Sequence, residues 1–351
     1  MSRPGPRPRA NIGEMSGYTP GEQINSPDVV KLNTNENPYP PSPRVFEAVR
    51  QALTGDSLRK YPQPLGDTFR KAAAGVLGVD PDALLIGNGS DDILTILTRT
   101  FVPEGGRIVS PTPSYSLYKS LAEIQGARFE TVPFTPDWSL PDPWPAGPAD
   151  LTYLPNPNSP SGTAVREADV VRLAEQCSGP LVLDEAYADF AEWNGLGLVG
   201  RVPNLIVTRT FSKYYSLAGI RFGFAVADPA TVRELVKVKD SYNCDVLSLA
   251  AATAAILDQG YYADLRSRVI ATRGRLAVGL AELGFRVTPS QANFVWCRRS
   301  DRPVKPVYEE LKRRKILVRH MTYPGYGDGL RVSVGTPAEV DRLLAELRTI
   351  V

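Results

Sequence analysis

Lys213 is the residue whose surroundings most strongly suggest chemistry. It follows a strand-like segment, with Thr210 and Ser212 just before it and Arg221 eight residues after it. Hydroxyl groups and a guanidinium are typical phosphate ligands. Neighbouring cations and partial burial lower the pKa of a lysine, and the neutral amine can then attack a carbonyl. A ligand that carries both an aldehyde and a phosphate, as pyridoxal phosphate does, suits this segment.

Asp184 ends the branched apolar run Leu181–Asp184, which places a carboxylate at the carboxyl end of a buried strand. Ligands of open α/β sheets bind at such ends. A carboxylate there can bond the pyridine nitrogen of pyridoxal phosphate and keep it protonated. An ion pair or a helix cap is the alternative interpretation of an isolated acid. Its position 29 residues before Lys213, in the preceding strand and helix unit, favours the cofactor interpretation.

Three other strand ends carry candidate ligands. Ser90 and Asp91 stand where a glycine-containing turn enters a helix, and the N–H groups of a helix N-terminus bind anions. Tyr115 follows a proline-containing turn, where its ring can stack on a cofactor. The loop 156–162 offers an amide for the phenolic oxygen of pyridoxal phosphate. Taken alone, each of these segments is more typical of an ordinary turn or, for Tyr115, of a packing residue.

Composition excludes several classes of function. A net charge of +2 gives no excess of positive charge for a nucleic-acid backbone, so no nucleic-acid partner is expected. His320 is the only histidine, which excludes a Ser-His-Asp triad, and three widely spaced cysteines favour neither disulfides nor a metal site. The chain has no apolar run of about 18 residues and no apolar stretch behind its first residues. We therefore expect a cytoplasmic protein without a membrane partner.

The elements that must position these residues alternate between short apolar runs and helical segments. The predicted strands are Ala83–Ile86, Arg107–Ser110, Arg128–Val132, Leu151–Leu154, Leu181–Leu183, Leu205–Arg209 and Phe222–Val226. This alternation predicts an α/β fold with a mainly parallel seven-stranded sheet. We predict a disordered arm over 1–20, a segment over 21–44 that packs on the small domain or a partner subunit, a large domain over 45–262 and a small α+β domain over 263–351.

Five motifs occur in order along the chain and resemble those of the fold-type-I, pyridoxal-phosphate-dependent aminotransferases. They are Gly-Asn-Gly-Ser-Asp, Pro-Asn-x-Pro-Ser-Gly, Asp-Glu-Ala-Tyr, Thr-x-Ser-Lys with Gly-x-Arg-x-Gly, and Leu-Arg-Val-Ser-Val-Gly. The segment Lys31–Tyr39, together with Lys60-Tyr61-Pro62, is similar to that of histidinol-phosphate aminotransferases. The resemblance extends from about residue 12 to the C-terminus.

The resemblance implies a role for each matching residue. Lys213 attaches to the cofactor aldehyde, Asp184 pairs with the pyridine nitrogen, Tyr187 contacts the phenolic oxygen, and Tyr115 stacks on the ring. The phosphate is bound by Ser90, Asp91, Thr210, Ser212 and Arg221, and by Tyr61 of the other subunit of a homodimer. Arg331 binds the carboxylate of glutamate. Tyr39, Asn37, Arg319 and Asn243 are candidates for further substrate contacts, although an exposed or structurally hydrogen-bonded side chain is the favoured interpretation of Asn243.

One position departs from the family pattern, since Ser159 stands where the family usually has an asparagine before the proline. We therefore predict that Asn158 makes the amide contact to the cofactor.

The reaction implied by the resemblance converts histidinol phosphate and 2-oxoglutarate to imidazole-acetol phosphate and glutamate, a step of histidine biosynthesis. Two alternative enzymes share much of the motif set, an aromatic amino acid aminotransferase and a threonine-phosphate decarboxylase. A pyridoxal-phosphate-binding regulator without turnover is an alternative from a different class. The regulator is disfavoured because the chain shows no helix-turn-helix segment and retains Lys213.

Overall fold

The computed structural model describes residues 5–17, 21–24, 26 and 28–351. The helices are α1 (Ala10–Glu14), α2 (Pro43–Ala52), α3 (Gly55–Leu58), α4 (Asp67–Leu77), α5 (Ser90–Phe101), α6 (Leu117–Gln125), α7 (Glu167–Gln176), α8 (Pro229–Val238), α9 (Val246–Leu257), α10 (Gln259–Glu282), α11 (Lys305–Arg313) and α12 (Pro337–Ile350). Short 3₁₀ turns cover Pro81–Ala83, Ala188–Phe190 and Gly195–Leu198.

The strands are β1 (Val30–Lys31), β2 (Leu84–Gly87), β3 (Arg107–Thr112), β4 (Arg128–Pro133), β5 (Leu151–Pro155), β6 (Leu181–Asp184), β7 (Leu205–Thr210), β8 (Gly223–Val226), β9 (Arg286–Thr288), β10 (Phe294–Arg298), β11 (Ile316–Leu317), β12 (Arg319–Tyr323) and β13 (Gly327–Ser333). The seven strands predicted between residues 83 and 226 all form, with ends shifted by one or two residues.

The central sheet has the strand order β2-β8-β7-β6-β5-β3-β4, and β3 to β7 run parallel while β8 is antiparallel to both of its neighbours. Every residue of β5, β6 and β7 is buried, because both faces of a parallel sheet are covered. The prediction of a mainly parallel seven-stranded sheet is confirmed. Since β5, β6 and β7 are parallel neighbours, their carboxyl ends meet at one edge, where Asp184 is paired with Thr208 in register.

A second, antiparallel sheet with the order β12-β13-β10-β9 follows the long helix α10. The N-terminal strand β1 pairs in parallel with β11, so the segment before α2 lies against C-terminal elements. The predicted boundary between residues 262 and 263 falls inside α10. Helix and antiparallel sheet together form the small α+β unit that the sequence predicts, while the exact limits of the domains stay a prediction.

The N-terminal arm contains a helix that the sequence does not predict. Arg9 Nη2 donates to the carbonyl of Ile124 at 2.7 Å, and Asn11 Nδ2 donates to that of Glu123 at 2.7 Å, so α1 is held against α6. Residues 1–4 and 18–20 of the predicted disordered arm lie outside the described residues. In the part of the chain that the structure describes, no helix is long and apolar enough to cross a membrane.

Candidate active site

A cavity of about 380 Å³ opens at the carboxyl ends of the parallel strands, between the two sheets. Most of the predicted site residues line it: Ser90, Asp91, Tyr115, Asp184, Tyr187, Thr210, Ser212, Lys213, Arg221, Arg319 and Arg331. The N-terminal segment also contributes, through residues 33–36. The tertiary structure therefore brings together groups that are up to about 300 residues apart in the sequence.

Lys213 lies on the turn after β7, where buried aromatic neighbours hold its backbone. Phe211 stacks on Tyr215 with a ring separation of 4.3 Å, and Tyr214 is also buried. The lysine Nζ donates to the carbonyl of Thr34 at 3.0 Å. Burial, with a smaller contribution from the positive charge of Arg331, lowers the pKa of Lys213 to about 8.

Asp184 stands at the end of β6 with 5% of its surface exposed. Tyr118 Oη donates to Oδ2 at 2.7 Å, and the backbone N–H of Ala186 donates to Oδ1 at 3.2 Å. Burial raises the pKa of Asp184 to about 6, although these hydrogen bonds oppose the shift. No role was predicted for Tyr118 from the sequence. The signal available there was a second tyrosine three residues after Tyr115.

One end of the cavity has the features of an anion site. Gly89 has a φ of +86°, and α5 starts at Ser90, so N–H groups of the helix N-terminus are directed at the cavity. Gly223 packs so closely behind this turn that a Cβ there would lie 2.6 Å from the Ser90 nitrogen. Arg221 Nη1 donates to Ser212 Oγ at 3.3 Å, and Arg221 Nη2 lies 3.6 Å from Asp91 Oδ2.

Aromatic and cationic groups form the other walls. Tyr115 Oη donates to Asp91 Oδ1 at 3.2 Å. Tyr187 Oη accepts a hydrogen bond from Asn35 Nδ2 at 2.9 Å. Arg331 Nη1 donates to Ser159 Oγ at 2.8 Å and its Nη2 to the carbonyl of Asn33 at 3.0 Å. The cavity therefore has arginines at both ends, with the lysine and the buried carboxylate between them.

The prediction for Asn158 needs correction. Asn158 is fully buried, and its Nδ2 donates to the carbonyl of Pro113 at 3.1 Å and to Ser161 Oγ at 2.9 Å. Ser159, not Asn158, lines the cavity. The loop thus keeps the register of the family motif, with its serine directed at the cavity where an asparagine is usual.

Four other predicted residues do not line the cavity of this single chain. Asn243 Nδ2 donates to the carbonyl of Ile86 at 3.1 Å and to Asp92 Oδ2 at 2.9 Å, which is a structural role. Asn37 Nδ2 donates to the carbonyl of Lys213 at 3.2 Å and supports the backbone of that residue.

The remaining two are tyrosines. The ring of Tyr39 lies 3.9 Å from the guanidinium of Arg268. Tyr61 is 80% exposed and stacks on Tyr242 at 4.4 Å. Neither tyrosine contacts the cavity, so any part that Tyr61 plays requires a second subunit.

Glu36 lines the cavity and is a further residue that the sequence analysis did not assign. Its carboxylate pairs with Lys31 Nζ at 2.5 Å and accepts from Thr34 Oγ1 at 2.8 Å. The Lys31 and Thr34 hydrogen bonds outweigh burial and lower its pKa, although burial is the largest single influence. Glu36 could have been found from the sequence, because it lies within the segment Lys31–Tyr39 that resembles histidinol-phosphate aminotransferases.

Comparison with known proteins gives a consistent result. Residues 27–347 match the family described as aminotransferase class I and II. The histidinol-phosphate aminotransferase of Rhodopirellula baltica is 52% identical over 336 residues, which are 95% of this chain and 92% of that protein. That of Geobacter sulfurreducens is 46% identical over 347 residues, covering 97% of this chain and 99% of the relative.

Solved structures agree. The structure of histidinol-phosphate aminotransferase from Sinorhizobium meliloti in complex with pyridoxal-5'-phosphate has a TM-score of 0.88 at 28% identity and covers 98% of both chains. Aspartate aminotransferase from Thermus thermophilus with maleate has a TM-score of 0.79 at 21% identity and covers 92% of both chains, a likeness of fold.

Proposed function

The chain belongs to the aminotransferase class I and II family, and we propose that it is a pyridoxal-phosphate-dependent transaminase acting on histidinol phosphate and 2-oxoglutarate. The observation that carries this proposal is the cavity in which Lys213 and the buried Asp184 lie between two arginine-containing ends. Relatives that are 44–52% identical over nearly the whole chain bear the name histidinol-phosphate aminotransferase.

The residues present fit pyridoxal phosphate. The phosphate suits the end formed by the N-terminus of α5, Thr210, Ser212 and Arg221, since N–H, hydroxyl and guanidinium groups are all donors. When bound, the cofactor supplies a conjugated ring that accepts the electron pair released at the substrate α-carbon.

Lys213 is suited to both covalent attachment and proton transfer. With a pKa of about 8, about a tenth of the amine is neutral at pH 7, against about one part in 3,000 at its ordinary pKa of 10.5. As a free amine, its Nζ could take the proton from the substrate α-carbon and deliver it to the cofactor's former aldehyde carbon, and could carry it back in the reverse direction. The carbonyl of Thr34, 3.0 Å away, restrains the amine beside that position.

Asp184 would supply the negative charge that pairs with the pyridine nitrogen of the bound cofactor. Its pKa of about 6 keeps it largely ionised at pH 7, where it can pair with a protonated pyridine nitrogen. Tyr115 supplies an aromatic wall, and Tyr187 supplies a hydroxyl toward the phenolic oxygen. Ser159 is the loop residue that takes the place predicted for Asn158, and its hydroxyl is bonded to Arg331.

Arg331 and Arg319 are suited to the anionic groups of the two substrates, because the cofactor phosphate takes the Arg221 end of the cavity. Arg331 is already held by Ser159 and by the carbonyl of Asn33, so its guanidinium is oriented before a carboxylate arrives. Glutamate and histidinol phosphate both carry an anionic group distant from their amine, which makes a shared arginine end chemically reasonable.

The experiment that tests this function uses the half-reaction. Protein loaded with pyridoxal phosphate is mixed separately with histidinol phosphate, glutamate or phenylalanine, and conversion to the pyridoxamine form is followed by absorbance. We expect fast conversion with the first two and slow conversion with phenylalanine. Lys213→Ala serves as the control and should lose the pH-sensitive absorbance band. Fast conversion with phenylalanine and none with histidinol phosphate would overturn the substrate assignment.

We also propose that the protein acts in the cytoplasm as a homodimer whose subunits share active sites. Large apolar side chains are exposed in the segment that precedes Tyr61, which is itself exposed: Phe46 by 48%, Leu53 by 57% and Leu58 by 56%. Exposed apolar groups that lie together are typical of a subunit interface.

Mixing two inactive variants, Lys213→Ala and Tyr61→Ala, tests the shared site. A hybrid dimer would then contain one intact site, and activity should return on mixing. Light scattering gives the mass independently. A monomeric mass, or no recovery in a confirmed hybrid, would contradict the shared site.

A further inference from the structure

We propose that Asn35 is a positioning residue that directs the hydroxyl of Tyr187 as a donor into the active-site cavity. The inference rests on the proposed function, because the acceptor that it implies is the phenolic oxygen of pyridoxal phosphate. Asn35 lines the cavity beside Tyr187, and its Nδ2 lies 2.9 Å from Tyr187 Oη.

The backbone of Asn35 is held in an unusual conformation. Its φ is +56°, in the left-handed region that asparagine tolerates better than most residues, and only 1% of its surface is exposed. Its N–H donates to Ser333 Oγ at 2.9 Å, and its carbonyl accepts from Asn293 Nδ2 at 2.9 Å. Both backbone polar groups are therefore bonded to C-terminal elements, which fixes where the side chain starts.

Ser333 determines which way the Asn35 amide faces. A hydroxyl has one hydrogen to donate. Because Ser333 Oγ accepts from the backbone N–H of Asn35, its hydrogen is available for Asn35 Oδ1, which lies 2.9 Å away. The oxygen end of the amide is thus bound to Ser333, and the NH₂ end faces Tyr187. With the amide turned over, Ser333 Oγ would accept two hydrogen bonds and its own hydrogen would have no acceptor among the described contacts. Since Ser333 is buried, the orientation that gives this hydrogen an acceptor is favoured.

This orientation has a consequence for Tyr187. An amide NH₂ group can donate but cannot accept, so Tyr187 Oη is the acceptor in the contact with Asn35. The phenolic hydrogen is then directed toward an acceptor other than Asn35. The ring is restrained by an edge contact with Phe294, at a centroid distance of 5.0 Å. Tyr187 is thereby prepared to donate to an oxygen in the cavity.

The same network connects Tyr187 to the predicted substrate arginine. Ser333 and Arg331 are two residues apart in β13, so their side chains lie on the same face of the strand. The chain of contacts therefore runs from the strand that carries Arg331, through Ser333 and Asn35, to Tyr187.

The test measures the pH midpoint of the absorbance change of protein loaded with pyridoxal phosphate. Asn35→Gly removes the amide but retains the left-handed backbone, which glycine adopts readily. A donor to the phenolic oxygen favours its ionised form, so a poorly directed donor should raise the midpoint. We expect an upward shift of about half to one pH unit, the size of one neutral hydrogen bond. Ser333→Ala, which lets the amide turn over, should give a smaller shift in the same direction.

A double-variant cycle separates positioning from general loosening of the site. In a Tyr187→Phe background, Asn35→Gly should add no further shift, because the hydroxyl that it directs is gone. Lys315→Gly is the control, since Lys315 is an exposed residue with a φ of +62° and lies outside the cavity. That variant should leave the midpoint unchanged.

Two results would overturn the role of Asn35: an unchanged midpoint in Asn35→Gly, or an equal shift with and without the Tyr187 hydroxyl. Failure of the proposed function is distinct, since wild-type protein would then show no pH-sensitive band at all.

Discussion

Replacing Tyr118 by phenylalanine should raise the pKa of Asp184 and change how stability depends on pH. Tyr118 Oη donates to Asp184 Oδ2 at 2.7 Å, and both residues are buried. A hydrogen bond to a charged group contributes about 1.5–3 kcal/mol. At about 1.4 kcal/mol per pKa unit, its loss should raise the pKa by about one to two units. Asp184 would then titrate near pH 7 to 8 instead of about 6.

The sign of the pH effect follows from linkage. Burial raises the folded-state pKa of Asp184 from 3.8 to about 6, so the folded protein holds this proton more tightly than the unfolded chain does. Its contribution therefore makes the protein less stable as pH rises from about 4 to 6, by about 3 kcal/mol in total. In Tyr118→Phe the free energy of unfolding should keep falling up to about pH 8, and the total decrease should be larger by about 1.5–3 kcal/mol.

The assay is denaturant unfolding between pH 5 and pH 8.5, with protein free of pyridoxal phosphate so that no cofactor charge pairs with Asp184. Tyr118→Phe should cost more stability at pH 8.5 than at pH 5, by roughly 1.5–3 kcal/mol. In an Asp184→Asn background the cost should be independent of pH, which isolates the contribution of this pair. If Tyr118→Phe lowers the free energy of unfolding equally at the two pH values in protein that retains Asp184, the reasoning is refuted.

Three further changes test other parts of the structure. Arg331→Lys should raise KM for both substrates by roughly 10-fold to 100-fold in steady-state assays, because a lysine cannot form the two-pronged contact of a guanidinium; an unchanged KM would remove Arg331 from substrate binding. Gly223→Ala should make the protein lose pyridoxal phosphate faster in dialysis. The new Cβ would lie 2.6 Å from the Ser90 nitrogen, so it would displace the helix N-terminus proposed to bind the phosphate. Loss at the same rate as from the wild-type protein would contradict this close packing. Arg209→Met should lower the free energy of unfolding by about 3–5 kcal/mol in chemical denaturation. Arg209 Nε lies 2.8 Å from the carboxylate of the fully buried Glu185, which would lose this partner. A decrease below about 1 kcal/mol would show that the carboxylate finds another partner.

Short motifs in the sequence were sufficient to predict the large sheet and most of the cavity lining. β5, β6 and β7 are short segments that are buried along their whole length, and residues at or just beyond their carboxyl ends line the cavity. Chain direction alone places such residues at one edge of a parallel sheet. Lys213, Asp184 and Arg221 were therefore predictable from local pattern.

Strands that depend on distant partners were not predictable in the same way. β1 and β11 contain two residues each and exist because Val30–Lys31 and Ile316–Leu317 pair with one another. Two residues carry no periodic signal, so nothing in their own sequence distinguishes them from loop. Their pairing nevertheless holds the N-terminal segment where residues 33–36 reach the cavity.

The sequence by itself determined which chemical groups this protein offers: an amine, a carboxylate and groups suited to binding a phosphate, each at or after the end of a strand of the large sheet. Only the tertiary structure decided which of two adjacent loop residues faces the cavity, and it chose Ser159 because the amide of Asn158 is bonded to Pro113 and Ser161. It also supplied the supports of the site, Tyr118 for Asp184 and Asn35 for Tyr187. Such supports are directional contacts between groups far apart in the chain, and a side chain's direction is fixed by packing and hydrogen bonds that exist only in the folded protein.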